Sequence, residues 1–270
     1  MIDKDTVIPA LTAEWAAIED LLASLDDEQW TTPTALPGWT VRDTVAHLVG
    51  TECGLAGEGP PPCEVDVRGL PHVHNDIGAL NELWVLGLRA ESPARVLDRF
   101  REITAVRRKH LEALSQAEFD APSWTPAGQG TYGRFMRIRL FDCWMHEQDV
   151  REAVGVPGHE DGPCAVGALS EVRDALGYLV GKRAGAPDGA TVTIELTGPV
   201  QTTWHVAVDG RAAVVEDLPG PATATVRLSS SLFARLAGGR VPVEDRIAEV
   251  ELSGEVDLAR RVVHALPFTI

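Results

Sequence analysis

From Asp5 to about Gly155, apolar residues recur three and four positions apart, the pattern of helices that bury one face. Trp15, Ile18, Leu21 and Leu22 mark a first helix that breaks at Asp26-Asp27. The loop Thr32-Pro-Thr-Ala-Leu-Pro-Gly38 then leads to a second helix, with Thr40 as its N-cap and Asp43 three residues on, in the manner of a capping box. Leu80, Leu83, Trp84 and Leu88 predict a helix over Asn75–Glu91, and Ser92-Pro93 starts another through Val96, Phe100, Ile103, His110, Leu111 and Leu114. A last helix of this half opens near Thr131, carries Phe135, Ile138, Met145 and Val150, and stops at Gly155 before Pro157.

Beyond Pro157 the period changes. A helix around Ala165–Lys182 gives way to short alternating runs at Thr191–Leu196, Thr203–Val208, Ala212–Val215 and Thr223–Leu228, which read as strands. A short helix over Ser230–Ala237, a strand near Ala248–Leu252 and a closing helix over Val256–Leu266 follow. The expectation is an all-α bundle over residues 1–157, followed by a smaller α+β domain over 158–270 with segregated strands and helices.

With 40 acidic against 24 basic residues the chain carries a net charge of −16, which argues against nucleic acid or an anionic membrane as partner and favours a small molecule. No stretch approaches the ~18 uninterrupted apolar residues of a membrane span. The four cysteines form no Cys-x-x-Cys pair and no apolar signal segment precedes Thr6–Leu25, so a reduced, cytoplasmic protein is expected.

Against this background the chemistry concentrates in two segments. On the last helix of the first half Asp142 and His146 stand four apart, one turn above each other, and can offer an oxygen and a nitrogen to one point. At about 100° per residue, Ile138, Asp142, Met145, His146 and Asp149 share a stripe, with Arg137 and Glu147 well off it. His47 on the second helix supplies a third ligand if the two segments pack together. Two nitrogens and one oxygen with a fourth position open is the pattern of a catalytic zinc site. The plainer alternative is a buried Asp142–His146 ion pair beside a core imidazole at His47. A carboxylate and two imidazoles inside a bundle are costly unless a cation neutralises them, which favours the metal. Asp149 either orients a ligand imidazole or forms a salt bridge to Arg151 or Arg139.

Other candidates carry less. His72-Val-His74 lies in a long Pro- and Gly-rich connection from Gly54 that either covers the site or is a mobile surface loop. His205 reads as sheet packing, and His110, His159 and His264 have no companions in sequence. Cys143 diverges by 100° from Asp142 and reads as a core residue. There is no Gly-x-Ser-x-Gly elbow and no phosphate-binding Gly-x-x-x-x-Gly-Lys loop.

The segments Leu36-Pro-Gly-Trp-Thr-Val-Arg-Asp-Thr-Val-Ala-His47-Leu-Val-Gly50 and Arg137–Arg151 resemble the two signature stretches of the mycothiol-dependent maleylpyruvate isomerase family, within the DinB-like metalloenzyme superfamily. The likeness spans nearly the whole chain, and Phe233–Arg240 with Asp257–Ile270 resembles that family's C-terminal domain, which is similar to sterol-carrier folds. The resemblance implies a four-helix DinB-like bundle holding a divalent metal, usually zinc, at positions that match His47, Asp142 and His146. In the isomerase itself the carboxylate is a glutamate, so Asp142 is a departure. An arginine of the C-terminal domain that assists catalysis in the family matches Arg240, whose plain reading is an exposed loop residue after a helix.

The resemblance further implies mycothiol as the thiol cosubstrate and a small electrophile as its partner, in an S-transferase or cis–trans isomerase. A hydrolase that activates water at the metal, and a noncatalytic small-ligand binding protein, are the competing expectations.

Overall fold

The computed structural model describes residues 2–269, which divide into two compact units: one ends at His159 and the other runs from Glu160 to Thr269. The first is mostly helical. Helix α1 (Lys4–Ala23) starts on Asp3, whose side chain accepts from the Asp5 amide. It buries Val7, Leu11, Trp15, Ile18 and Leu22. Helix α2 (Val41–Leu55) carries the expected capping box, with Thr40 and Asp43 each accepting from the other's backbone amide. Helices α3 (Asp76–Leu88) and α4 (Pro93–Ala113) begin on the side-chain caps Asn75 and Ser92. Four residues of α5 (Gln116–Phe119) precede a hairpin, β1 (Pro122–Thr125) and β2 (Gly128–Thr131), and α6 (Tyr132–Val154) ends at Gly155 in the left-handed region.

The long helices α1, α2, α4 and α6 form the bundle: α1 packs on α4 and α6, α2 packs on α4 and α6, and α3 lies along α2. The hairpin is a departure from the purely helical expectation for this half. Its strands PSWT and GQGT are short and poor in β-branched residues, so no alternation announces them. What closes the turn is local: the Thr125 hydroxyl donates to the Gly128 carbonyl at 2.8 Å and accepts from the Ala127 amide at 3.1 Å.

In the second unit α7 (Gly162–Tyr178) runs into a π turn over Leu179–Arg183. Strands β3 (Thr191–Thr197), β4 (Thr202–Asp209), β5 (Arg211–Val215) and β6 (Ala224–Ser229) follow, then α8 (Ser230–Ala237), the four-residue α9 (Val243–Arg246), β7 (Glu251–Gly254) and α10 (Val256–Ala265). The sheet order is β5-β4-β3-β6-β7, antiparallel throughout except for the β3–β6 pair. Alternate residues Val192, Ile194, Leu196, Val206, Val226 and Leu228 are buried, as are Leu169, Val172 and Leu176 of α7 and Phe233 and Leu236 of α8. The strand expected near Ala248–Leu252 begins three residues later, because a 3-10 turn over Ile247–Glu249 takes up its first residues. Among the described residues no helix is long and apolar enough to cross a membrane.

Helices α2 and α3 approach closely at Gly50, where a Cβ would lie 2.3 Å from Cγ and 2.4 Å from Cβ of buried Trp84. The clash falls on the base of the indole, which cannot swing aside without moving the α3 backbone. Gly50→Ala is expected to destabilise the fold by about 1–3 kcal/mol through overpacking, despite the better helix propensity of alanine, as read by urea titration.

Candidate metal centre

The packing of α2 against α6 brings the three expected ligands together. Nε2 of His47 lies 3.2 Å from Oδ2 of Asp142, and Nε2 of His146 lies 3.5 Å from Oδ1 of the same carboxylate. One donor atom from each of the three residues falls within 4.8 Å of the others. His47 is 5 % exposed and His146 6 %, whereas the Asp142 side chain is 29 % exposed, so the cluster is open towards its carboxylate.

Two contacts orient the imidazoles. Nδ1 of His146 lies 2.9 Å from Oδ2 of buried Asp149, so Asp149 braces His146, one of the two roles expected of it. A proton held on Nδ1 by that carboxylate leaves a lone pair on Nε2 facing the Asp142 oxygen. Two electron-rich atoms at that distance call for a second proton or a cation between them. Trp39, in the loop before α2, lays its ring against both imidazoles, with centroids 5.3 Å from His47 and 6.2 Å from His146. Its Nε1 donates to Oε2 of buried Glu82 on α3 at 2.9 Å, and Glu82 in turn faces Nε2 of His72 at 3.4 Å. The His72 side of the long connection therefore lies against the wall of the site.

Electrostatics divide the three residues. Burial opposes ionisation of Asp142, but Arg139, His47 and His146 outweigh it and hold the carboxyl well below the usual carboxylate range. Burial pushes His47 down more strongly than Asp142 pulls it up, so this imidazole is kept neutral, the form that ligates a metal. Burial also opposes protonation of His146, yet Asp142 and Asp149 together raise its pKa. An ionised carboxylate, a neutral imidazole and a second imidazole braced by a carboxylate are the donor set of a divalent cation with borderline affinity for nitrogen and oxygen. His47 Nδ1 is buried with no hydrogen-bond partner among the described residues, so its ring is not fixed by a competing contact on that side. The residues present fit the group.

Beneath the cluster lies a chain of buried charge that sequence reasoning missed. Glu52 on α2 accepts from Nε of Arg107 at 2.9 Å and from Nε of Arg139 at 3.0 Å, all three residues being at most 3 % exposed. Arg107 also donates to the Tyr132 hydroxyl at 3.0 Å and to Sδ of Met136 at 3.4 Å. Arg139 reaches Asp142 with one terminal nitrogen and Sγ of Cys143 at 3.4 Å with the other. The signal was present in the sequence. Arg107 occupies the apolar stripe of α4 between Ile103 and Leu111, and Arg139 stands three before Asp142 on one face of α6.

Three readings of single residues, those of Glu147, His159 and Arg240, need correction. Glu147, expected off the buried stripe, is 1 % exposed, because α6 is enclosed on nearly every side from Arg139 to Val150. It accepts from Nε of Arg151 at 2.8 Å and lies 2.6 Å from Nδ1 of His159, so His159 does have companions, Glu14 being the other at 3.7 Å. Cys143 is a fully buried core residue whose thiol is pushed well above its usual pKa by burial, and burial likewise pushes Cys53 up to about 11. His205 meets Thr193 at 2.9 Å within the sheet. Arg240, in the second unit, is half-buried after α8 rather than exposed, and donates to the Gly238 carbonyl at 2.7 Å.

Comparison with known proteins bears on what this arrangement serves. The family model described as the mycothiol maleylpyruvate isomerase N-terminal domain matches residues 11–151, and the model of the corresponding C-terminal domain matches 168–261. The uncharacterized protein Rv0036c of Mycobacterium tuberculosis (strain ATCC 25618 / H37Rv) is 26 % identical over 206 residues, 76 % of this chain and 77 % of that protein. Among solved structures, a mycothiol-dependent maleylpyruvate isomerase superposes with a TM-score of 0.59 at 17 % identity, covering 94 % of this chain and 95 % of the other. A histidine-to-alanine variant of such an isomerase gives 0.56 at 18 % identity over the same shares. At these identities the superpositions establish a shared fold.

The raised pKa of His146 has a measurable consequence in chelator-treated protein. A group whose folded-state pKa is raised contributes stability that is present below its unfolded value of about 6.5 and is lost as pH rises through the folded value. His146→Gln is therefore expected to lose more stability relative to the parent at about pH 6 than at about pH 9, by urea titration at each pH.

Proposed function

The chain belongs to the mycothiol maleylpyruvate isomerase family, and from that membership we propose that it is a metal-dependent enzyme that uses mycothiol as nucleophile or cosubstrate towards a small electrophile, as an S-transferase or a cis–trans isomerase. The observation that carries this reading is the convergence of His47, Asp142 and His146 donor atoms within 4.8 Å. On this reading those three residues hold a divalent cation, zinc by the chemistry of the set. The two functional domains are taken as residues 1–157 and 158–270.

When bound, the cation supplies Lewis acidity that brings a thiol's pKa towards neutrality. The protein's own groups prepare the place for it. Asp149 keeps the proton of His146 on Nδ1 and fixes that ring, Arg139 steadies Asp142, and the Trp39 ring covers both imidazoles and keeps bulk water from that side. The Asp142 edge, the exposed part of the cluster, is where a thiol enters. Addition of the thiolate sulfur to an electrophilic carbon–carbon double bond places the electron pair on the substrate's carbonyl oxygen as an enolate. Rotation about the former double bond and loss of the thiolate yields the trans isomer, whereas protonation of the enolate carbon retains the adduct and completes a transfer. Arg240 is proposed to hold a substrate carboxylate or enolate oxygen, a role its positive charge suits.

The four cysteines are unpaired in this structure, which suits a reduced cytoplasmic setting where a small thiol is available. The partners on this reading are small molecules and include neither nucleic acid nor membrane, in keeping with the −16 net charge.

Metal analysis of protein as purified is expected to give about one divalent cation per chain, with affinity weakened about 100-fold or more in His47→Ala and His146→Ala. Calorimetric titration with mycothiol is expected to give heat with the loaded parent and none after chelation. Arg240→Met is expected to lower turnover about 10²-fold, with the thiol titration unchanged. Negligible metal in the parent, or metal content indifferent to His146→Ala, overturns the site. Turnover that needs no thiol assigns the metal to water activation instead.

A further inference from the structure

The buried charge beneath the cluster supports a step that rests on the metal reading above. Every donor edge of the Arg139 guanidinium is engaged: Nε donates to Oε1 of Glu52 at 3.0 Å, one terminal nitrogen to Oδ2 of Asp142, the other to Sγ of Cys143 at 3.4 Å. A guanidinium is a planar, rigid fork, so pinning Nε from α2 also fixes where the terminal nitrogens point. Glu52 is itself fixed, because its second oxygen accepts from Nε of Arg107 at 2.9 Å on α4. The two oxygens of Asp142 are consequently unlike. Oδ2 takes the arginine and lies 3.2 Å from His47, while Oδ1 faces Nε2 of His146 at 3.5 Å without an arginine on it.

We propose that Arg139, clamped by Glu52, is a positioning residue that ties up Oδ2 of Asp142 and presents Oδ1 to the cation, so that the buried Arg107–Glu52–Arg139 chain sets the denticity and strength of the metal grip. A carboxylate with both oxygens free can swing to bidentate ligation and fill the position a thiol needs. One oxygen committed to a buried guanidinium cannot, because leaving it would strand the charge of Arg139 away from water. The arrangement also suits an aspartate. Its short side chain has little freedom to escape the fork, and the fork reaches it from three residues earlier on the same helix.

The test uses full-length protein loaded with cobalt(II), whose visible absorption weakens as coordination number rises, with parent, Arg139→Lys, Arg139→Gln, Glu52→Gln and His146→Ala compared. Both Arg139 variants are expected to shift the spectrum towards the weaker bands of a higher coordination number and to change cobalt affinity about tenfold or more in competition with a chelator. Lysine keeps the charge but cannot span Glu52 and Asp142 together, so it does not restore the parent spectrum. Glu52→Gln, which leaves Arg139 an uncharged acceptor, shifts the spectrum in the same direction by less. A folded Arg139 variant with parental spectrum and affinity, even at lowered thermal stability, overturns the proposal by reducing Arg139 to a structural ion pair. Where neither Arg139 variant folds, an unchanged spectrum in Glu52→Gln overturns it instead. A parent that binds no cobalt, or binds it equally well as His146→Ala, overturns the metal reading and this one with it. Binding that depends on His146 but not on Arg139 overturns this one alone.

Discussion

Glu52 is an ionisable carboxylate held at 1 % exposure between helices, and the bundle closes around its centre only because two guanidinium groups meet it there. An isolated buried carboxylate would cost far more than a domain's whole stability, so it must either be paired or take up a proton. Arg107 comes from α4 and Arg139 from α6, while Glu52 stands on α2, so one carboxylate ties three of the four long helices. Such a triad is weak as a source of net stability but severe as a constraint. Removing one partner from a buried pair costs about 3–5 kcal/mol, because the charge left behind has no water to return to. Against a total of about 5–15 kcal/mol for a domain, that makes the relative placement of these helices hard to change.

The constraint reaches the surface of the site through Arg139. Having satisfied Glu52 with Nε, this residue spends its remaining donors on Asp142 and Cys143, so the position of the candidate ligand is inherited from a contact deeper in the core. The other two ligands are held differently. His146 is braced on its far side by Asp149, and His47 by packing, with the Trp39 ring over it. On the proposed reading the sharing of Asp142 with an arginine also matters electrically. A cation gripped by two neutral imidazoles and one partly neutralised carboxylate keeps most of its positive field, and an incoming thiol gives up its proton more readily the less that field is already spent.

The helices and their caps were legible in the sequence because their signals are local. Thr40 with Asp43, Ser92 before Pro93, Thr131 and Gly155 act within one turn, and each stands where it was read. The convergence of the three candidate donors was legible in part, since Asp142 and His146 declare a common face by spacing alone, while His47 joins them only because its helix packs against theirs. The rest depends on which helix faces which. That Glu147 is enclosed, that Glu52 and Arg107 meet 55 positions apart, and that His159 finds Glu147 are tertiary facts with no periodic mark. A trace existed all the same. Glu14 on α1 and Arg107 on α4 sit on stripes otherwise apolar, and a charge on such a stripe asks for a buried partner of opposite sign. The β1–β2 hairpin left no trace, because hydrogen bonds of one threonine rather than alternation close it.

The centre is thus bounded by two sides of unequal stiffness. On the bundle side, Glu52, Arg107 and Arg139 are all nearly without exposure, and moving any of them means desolvating or stranding a charge. On the other side, Trp39 is held by one hydrogen bond to Glu82, and the connection carrying His72 joins that carboxylate through a 3.4 Å pair whose imidazole is 25 % exposed. A single contact of that kind, from a partly exposed ring, constrains the connection far less than the buried charges constrain the bundle. The inequality decides which side can yield. The connection carrying His72 is thus the more weakly held side, whereas the candidate donors take their placement from the buried charges, so the two sides of the centre are held by different residues of the same unit.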